Sequence, residues 1–182
     1  MRHLQFIKTI DVAVRDKASL DFSVATWEKL LGADAIEMKP EYSPAGGVSA
    51  FHVPMPTGEL ACHSIGVFLP TNDEDVNPVG GSNLKDFMEK HGESTFLLSF
   101  MVENVEEAQT YFEGLGFKFF YDEPVRYAAG AHNFMQGPEE LQDLWIHICR
   151  HDEGGLERWL KGEEESGPYA GQKMGKKARD YS

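Results

Sequence analysis

The fold of this chain is decided by the stretch IKTIDVAVRD at residues 7–16. Ile10, Val12 and Val14 alternate with polar or small residues, a period of two that is typical of a half-buried β-strand. Asp16 follows at a place where it can cap a helix. Apolar residues then recur at helical spacing and form one stripe: Leu20, Val24, Trp27 and Leu31. The stretch therefore predicts a strand that leads directly into an amphipathic helix.

The same pattern occurs a second time after residue 94. An apolar strand candidate covers residues 96–102, and Asn104 with Glu107 makes a capping-box-like helix start. Gly32 ends the first helix and Gly116 the second, since glycine is preferred just after a helix C-terminus. Three strand candidates follow each helix, at 34–39, 47–55 and 60–69, and again at 117–121, 127–135 and 143–150. The sequence therefore contains one βαβββ unit written twice.

This repeat divides the chain into four segments. We predict a first βαβββ module at residues 1–70 and a linker with a short helix at 71–93. A second module covers residues 94–151, and a C-terminal turn with a polar tail covers 152–182.

Composition and charge exclude several kinds of partner. The net charge is −13 and the pI about 4.9, so nucleic acid and anionic membrane surfaces would be repelled at long range. Runs of about eighteen apolar residues are absent from the sequence, and its N-terminus has no apolar signal region. Cys62 and Cys149 lack a Cys-x-x-Cys spacing, which favours free thiols in a reducing compartment. We therefore expect a cytoplasmic protein without a nucleic-acid or membrane partner.

The repeated unit resembles the vicinal oxygen chelate superfamily, which includes glyoxalase I, extradiol dioxygenases, methylmalonyl-CoA epimerase and the bleomycin-resistance proteins. The resemblance is carried by Val14-Arg15-Asp16, Leu31-Gly32 and residues 84–90, 102–105 and 144–148, and it is closest to the epimerase and glyoxalase branch. It implies an α+β fold in which two βαβββ modules form a cup-shaped, curved mixed sheet with helices outside. It also implies a small-molecule ligand or substrate in the cup and a homodimer.

The resemblance further implies where a metal ion would bind, because family enzymes place one ligand on the first and last strand of each module. These positions correspond to Thr9, Gly66, Leu97 and His147, and only His147 is a good donor. A divalent ion needs roughly three good protein donors. We therefore expect no cofactor and no metal ligands in the cup.

The lining of the cup follows from the alternation of side chains along each strand. If Ile10 and Val12 pack on the helices, their neighbours on that strand face the cup. By this argument the candidate substrate-binding residues are Thr9, Ser64, Phe68, Leu97, Ser99, Met101 and Trp145, with Arg126 and Tyr127 at a strand start. Apolar and aromatic residues with a few polar groups are typical of a small-molecule pocket.

His147 and Asp11 are the candidate catalytic residues. A hydrogen bond between them would orient the imidazole and raise its proton affinity. The pair would then abstract a proton beside a carbonyl group, while Thr9 or Ser99 donates to the oxyanion. The alternative is that His147 is a hydrogen-bonded core histidine and Asp11 a charge at the rim.

Three functions are compatible with these residues. The first is a metal-independent isomerase, lyase or cyclase that acts on a small carbonyl compound by acid–base chemistry. The second is a non-catalytic binding protein of the bleomycin-resistance type, since an acidic chain with aromatic cup residues suits a cationic ligand. The third is a metal-dependent glyoxalase-like or dioxygenase-like enzyme with atypical ligands drawn from His52, His63, His132 and His147.

The third function depends on a predicted hairpin turn at Thr57-Gly58, which would place His52 opposite His63. We favour the first function, because a histidine at one ligand position of a cup that otherwise lacks donors indicates a chemical role.

Overall fold

The structure is a computed structural model that describes residues 3–38, 48–55, 64–73, 81–127, 130–137 and 141–155. Within these ranges the strands are β1 Leu4–Ala13, β2 Ile36–Met38, β3 Val48–Pro54, β4 Ser64–Pro70, β5 Thr95–Val102, β6 Val125–Tyr127, β7 Gly130–Gln136 and β8 Trp145–His151. The helices are α1 Lys17–Leu31, α2 Gly81–His91 and α3 Val105–Gly114.

The strands form one mixed sheet in the order β2-β3-β4-β1-β5-β8-β7-β6. At its centre, β1 and β5 pair antiparallel, and each also pairs in parallel with the last strand of its own unit, β4 or β8. The order therefore reads the same from the centre outwards in both directions, as a duplicated unit requires. The sheet curls into a half-barrel, which confirms the predicted α+β fold with a cup-shaped sheet.

Side-chain caps begin α1 and α3 as the sequence predicts. Asp16 accepts a hydrogen bond from the Ser19 N–H at 2.8 Å, and Asn104 accepts one from the Glu107 N–H at 2.9 Å. Gly32 adopts the left-handed conformation with φ 64° that ends α1. These local signals fix where each helix leaves the strand that precedes it.

The helices pack on different parts of the sheet. Leu20 of α1 packs against Val67 of β4, and Ala108 of α3 packs in a cluster with Ile148 of β8. The clusters of α1 and α3 lie on the outer face of the two modules. A third cluster, which joins α2 to the inner face, contains Leu84, Phe87, Phe96, Phe68, Leu97 and Phe134.

Segment 117–121 departs from the predicted strand. β6 pairs with residues 130–132 of β7, whereas Phe119 forms an isolated bridge to Met135 and the Phe120 N–H donates to the Phe134 carbonyl at 2.7 Å. The side chain of Asn133 adds hydrogen bonds to this short pairing. Its Oδ1 accepts from the Tyr121 N–H at 3.2 Å, and its Nδ2 donates to the Tyr121 carbonyl at 3.0 Å.

The predicted module boundaries at residues 70, 93 and 151 stay predictions, and most of the predicted tail lies outside the described residues. Among the helices of the described ranges, none is long and apolar enough to cross a membrane.

Candidate functional site

Strand register brings three predicted site residues into one row at the centre of the sheet. Thr9 of β1 lies opposite Ser99 of β5, and Ser99 lies opposite His147 of β8. All three residues are buried. Directly opposite residues on neighbouring strands share a face and place their Cβ atoms about 5 Å apart, so their polar groups are within bonding reach.

A continuous chain of hydrogen bonds passes through this row and beyond both of its ends. Thr9 Oγ1 lies 3.2 Å from Asp11 Oδ2 and 2.7 Å from Ser99 Oγ. Ser99 Oγ lies 2.8 Å from His147 Nδ1, and His147 Nε2 lies 2.8 Å from His132 Nδ1. The chain thus connects the two modules across the pairing of β1 with β5.

One placement of hydrogen atoms satisfies every link of this chain. His132 Nδ1–H donates to His147, His147 Nδ1–H to Ser99, Ser99 to Thr9, and Thr9 to an ionised Asp11. If every donor is reversed, the chain is again satisfied and ends on a protonated Asp11. An ionised Asp11 thus fixes the first direction, whereas the reversed direction requires the proton on Oδ2.

The carboxyl group of Asp11 has the surroundings of a proton acceptor. The residue is 4% exposed; its Oδ2 accepts from Thr9, whereas its Oδ1 is buried without a hydrogen-bond partner. Burial raises the pKa of Asp11 to about 7, and the Thr9 hydrogen bond and the Lys8 charge lower it to a smaller extent. Buried polar atoms are nearly always paired, so a carboxylate oxygen without a protein partner makes Asp11 a candidate functional residue.

Gly66 of β4 leaves the space that this carboxylate occupies. It is the register partner of Asp11, and a Cβ at this position would lie 2.3 Å from Asp11 Oδ1 and 2.8 Å from Phe68 Cε2. The glycine stands where the family resemblance implies a metal ligand. Its neighbour Asp11 explains why no side chain is present there.

Three expectations about the catalytic pair are corrected. Asp11 and His147 do not bond directly, because Thr9 and Ser99 lie between them. The hydroxyl groups of Thr9 and Ser99 form the hydrogen bonds of this chain and are not the oxyanion donors that the sequence predicts. The pKa of His147 is lowered well below its usual value rather than raised, mainly by burial and then by the charges of His132 and Lys8. The alternative that Asp11 is a charge at the rim is also wrong, because the residue is buried.

Lys8 is a component of the site that the sequence reasoning missed. Strict alternation placed it with Ile10 on the helix side, but the pairing of β1 with β5 shifts register between Ile7 and Thr9. Lys8 is 5% exposed, and its charge lowers the pKa of Asp11 and of His147. The sequence does contain one indication of a buried cation here, which is a single lysine within an otherwise largely apolar strand.

The expectation that the cup holds no cofactor is contradicted by a group of three potential metal ligands. His132, His147 and Cys149 are all buried, and one donor atom of each lies within 4.8 Å of the other two. His147 and Cys149 are two residues apart on β8, and His132 of β7 lies opposite Cys149. Two imidazoles and a thiolate are the donors that structural and catalytic zinc sites use. The third sequence-based function named His132 and His147 but not Cys149.

Most other predicted substrate-binding residues also lie along the inner face. Phe68, Leu97 and Trp145 pack in or against one apolar cluster. The Ser64 hydroxyl lies 3.1 Å from His52 Nδ1, and Met101 Sδ lies 3.7 Å from Cys149 Sγ. The inner face is thus apolar at one end and polar at its centre.

Arg126 is separated from this group. Its guanidinium pairs with Glu106 of α3 at 3.3 Å, on the helix side of the sheet. The side chain of Tyr127 lies outside the described part of the structure.

The predicted pairing of His52 with His63 is corrected by the register of β3 and β4, in which His52 lies opposite Gly66. His63 lies outside the described residues. Burial, with a smaller contribution from Lys8, lowers the pKa of His52 to about 3, so this imidazole is neutral. Of the histidines named for the third function, the described residues bring His132 and His147 within bonding distance of each other.

No protein-family model and no curated protein matches the sequence. Solved structures match the fold. The methylmalonyl-CoA epimerase of Mycobacterium tuberculosis has a TM-score of 0.61 at 17% identity, over 82% of this chain and 89% of its own. A variant of the Streptomyces coelicolor methylmalonyl-CoA epimerase, in complex with 2-nitronate-propionyl-CoA, has a TM-score of 0.61 at 19% sequence identity. The match covers 81% of this chain and 98% of the epimerase chain. A methylmalonyl-CoA epimerase in complex with methylmalonyl-CoA and NH4+ has a TM-score of 0.61 at 19% sequence identity, over 81% of this chain and 95% of its own.

The chain therefore has the fold of the vicinal oxygen chelate superfamily, of which methylmalonyl-CoA epimerase is a member. The resemblance read from the sequence is confirmed at this level. Because the identities are 17–19%, the likeness establishes the fold alone. The solved structures named above are those of enzymes of the isomerase class.

Proposed function

We propose that this protein is an enzyme of the isomerase class that moves a proton at a carbon atom next to a carbonyl group, with Asp11 as its general base. The observation that carries the proposal is the Asp11 carboxylate, which is buried on the inner face with Thr9 at one oxygen and no partner at the other. A base that is held by one oxygen presents the other in a fixed direction.

The proton transfer can be written with these groups. When the C–H bond breaks, its proton goes to Asp11 Oδ1 and its electron pair moves toward the carbonyl oxygen, which gives an enolate. Return of the proton to a different atom, or to the other face of the same carbon, completes the isomerisation without consuming any reagent. A carboxyl group with a pKa of about 7 is suited to both steps.

The enolate needs positive charge or hydrogen-bond donors close to its oxygen. Thr9 and Ser99 were the predicted donors, but they bond to each other and to their neighbours in the hydrogen-bonded chain. The buried ammonium group of Lys8 is the cation that acts on Asp11, and we assign the stabilising role to it. A metal ion, if held by His132, His147 and Cys149, would supply Lewis-acid polarisation of the carbonyl.

Acyl thioesters are the first substrate class to test. Epimerases with this fold have been crystallised with methylmalonyl-CoA and with 2-nitronate-propionyl-CoA. The aromatic residues Phe68 and Phe134 would pack against an acyl group at the apolar end of the inner face.

Deuterium exchange tests the proposal directly. The protein is incubated with methylmalonyl-CoA and a panel of other carbonyl compounds in deuterated water, and incorporation beside the carbonyl is followed by NMR. We expect exchange with wild-type protein and a loss of about 10²–10⁴-fold in Asp11→Asn. Asp21→Asn, on the exposed side of α1, is the matched control and should retain the rate. Exchange that is equally fast in Asp11→Asn would refute Asp11 as the base.

A second candidate function is binding without turnover, as in the bleomycin-resistance type. Trp145 is only partly buried, and its ring lies 6.1 Å from that of Phe120, so these aromatic residues favour a flat or cationic ligand. Tight binding by both wild type and Asp11→Asn, with no exchange in either, would favour this function over the first.

A further inference from the structure

We propose that His132, His147 and Cys149, with Met101 as a fourth donor, form a binding site for a thiophilic transition-metal ion, in the first place Zn²⁺. Metal binding here does not depend on the proposed function, because the site fills without substrate and does not include Asp11. Its test is therefore independent of whether the protein moves protons.

Strand register places the four donors together. Met101 of β5, Cys149 of β8 and His132 of β7 form one row across three strands, and His147 stands on the same face in the next row. Side chains two residues apart on a strand, such as His147 and Cys149, point to the same side. The set therefore needs no loop to assemble it.

Two donor–donor distances can be compared with those of a tetrahedral site, and the donor atoms of His132, His147 and Cys149 all lie within 4.8 Å of one another. With Zn–S near 2.3 Å and Zn–N near 2.0 Å, donors on one zinc ion lie about 3.3–3.8 Å apart. Met101 Sδ and Cys149 Sγ are 3.7 Å apart, which already fits. His132 Nδ1 and His147 Nε2 are 2.8 Å apart and must separate by about 0.5 Å.

The surroundings of His147 also suit a metal ligand. Ligating histidines usually donate their second ring N–H to a fixed acceptor, which orients the ring. His147 Nδ1 is bonded to Ser99 Oγ at 2.8 Å, and Ser99 is held in turn by Thr9. On zinc binding, Cys149 releases its thiol proton to solvent, and the hydrogen between the two facing imidazole nitrogens moves to the remote nitrogen of its ring.

Comparison of the two modules shows that the fold does not require these side chains. In the first module Asp11 of β1 lies opposite Gly66 of β4, and in the second module Ser99 of β5 lies opposite His147 of β8. Gly66 therefore corresponds to His147, and Phe68 corresponds to Cys149. Ala50, opposite Phe68, corresponds to His132. These residues of the first module carry no metal-binding atom. The donor set is thus a property of the second module and not of the repeated architecture.

Metal content and cobalt spectroscopy test the site. The full chain without an affinity tag is stripped with a chelator, dialysed against Zn²⁺ or Mg²⁺ and analysed by elemental mass spectrometry. We expect one zinc per chain and no magnesium, since magnesium takes oxygen ligands. Co²⁺ in place of zinc should give a thiolate-to-cobalt absorption band.

Variants assign the donors. Cys149→Ser should lose the cobalt band and bind zinc at least about 100-fold more weakly, more than the loss of an outer hydrogen-bond partner causes. Cys62→Ser should keep both properties. Met101→Leu should weaken binding, whereas Met88→Leu on α2 should not.

Three outcomes would overturn the site: no zinc bound by wild type, a cobalt band that survives in Cys149→Ser, or a band lost in Cys62→Ser instead. If Cys149→Ser fails to fold, the ring-nitrogen NMR shifts of wild type decide. Zinc must move the signals of His132 and His147 and leave that of His91, which pairs with Asp143, unchanged. Zinc that leaves all three unchanged overturns the proposal as well.

Discussion

The chemistry of Asp11 is set by residues on several strands. Burial among these strands raises its pKa, and the groups that face it reduce the rise only in part. Lys8 on its own strand is the charged neighbour. β3 and β8 contribute the neutral histidines His52 and His147, and the β4 and β5 partners of Asp11, Gly66 and Leu97, carry no charge. A carboxyl group in these surroundings stays protonated up to a higher pH than it does in water.

This pKa predicts a pH-dependent stability difference for Asp11→Asn. The folded state holds the proton up to about pH 7, whereas the unfolded chain releases it near 3.8. Because the folded state binds more protons in this window, the unfolding free energy of wild type falls as pH rises through it. Asparagine does not ionise, so the variant should gain about 2 kcal/mol relative to wild type between about pH 5 and about pH 8.

Urea denaturation at several pH values measures this difference. Asp21→Asn, which removes an exposed carboxylate, is the matched control. A gain in Asp11→Asn that is the same at every pH would mean that the pKa of Asp11 is not raised.

Gly66→Ala tests whether the carboxylate needs the space above β4. The added methyl group would lie 2.3 Å from Asp11 Oδ1, so the carboxylate must move away from its position. We expect the exchange rate to fall at least about tenfold, since a displaced base loses its alignment with the substrate. Gly114→Ala in α3, where a Cβ meets no atom within 4 Å, should keep the rate. Equal rates in both variants would show that the position of the carboxylate is not critical.

At the scale of elements, pairing register decides which polar residues meet. A one-residue shift would turn every side chain of a strand to the opposite face, so the row of Thr9, Ser99 and His147 depends on the registers of β1, β5 and β8 together. The register shift beside Lys8 has the corresponding effect. Strict alternation would turn the Lys8 side chain away from the site, and the shift brings it in.

A buried amide adds to the backbone contacts that attach segment 117–122 to the second module. Asn133 bonds the Tyr121 backbone through both of its polar atoms, and its Nδ2 also donates to Gln109 Oε1 at 2.7 Å. Asn133→Ala leaves these buried groups without partners, which should lower the unfolding free energy by about 3 kcal/mol. Chemical denaturation measures the loss.

Thr110→Ala on the exposed side of α3 is the control, and its effect should stay within about 0.5 kcal/mol. If Asn133→Ala costs no more than this control, the amide does not contribute to the attachment of segment 117–122.

At the scale of the molecule, the net charge of −13 acts on any anionic substrate. If the substrate is an acyl-CoA, whose phosphates are negative, repulsion should slow association at low ionic strength. We expect kcat/KM to rise as salt increases from about 20 to about 200 mM, because salt screens the repulsion. An uncharged thioester of the same acyl group should show no such rise, and a fall with salt for the acyl-CoA would indicate a local positive entry path instead.

The homodimer expected from the family resemblance stays a prediction, and light scattering coupled to size-exclusion chromatography checks it. A mass near 20.4 kDa would mean that the chain completes its cup alone. A mass of twice this value would support the predicted dimer.

The sequence by itself determined the doubled βαβββ unit, the caps at Asp16 and Asn104 and most of the inner-face residues. These features depend on local periodicity and on hydrogen bonds between residues close in the chain, which one sequence displays. Only the tertiary structure decided that Asp11 reaches His147 through Thr9 and Ser99, that Lys8 is buried beside them, and that Cys149 joins His132 and His147. The physical reason is that register shifts and burial arise from pairing between strands far apart in the chain, and the burial that this pairing produces shifts the pKa of Asp11 and of His147.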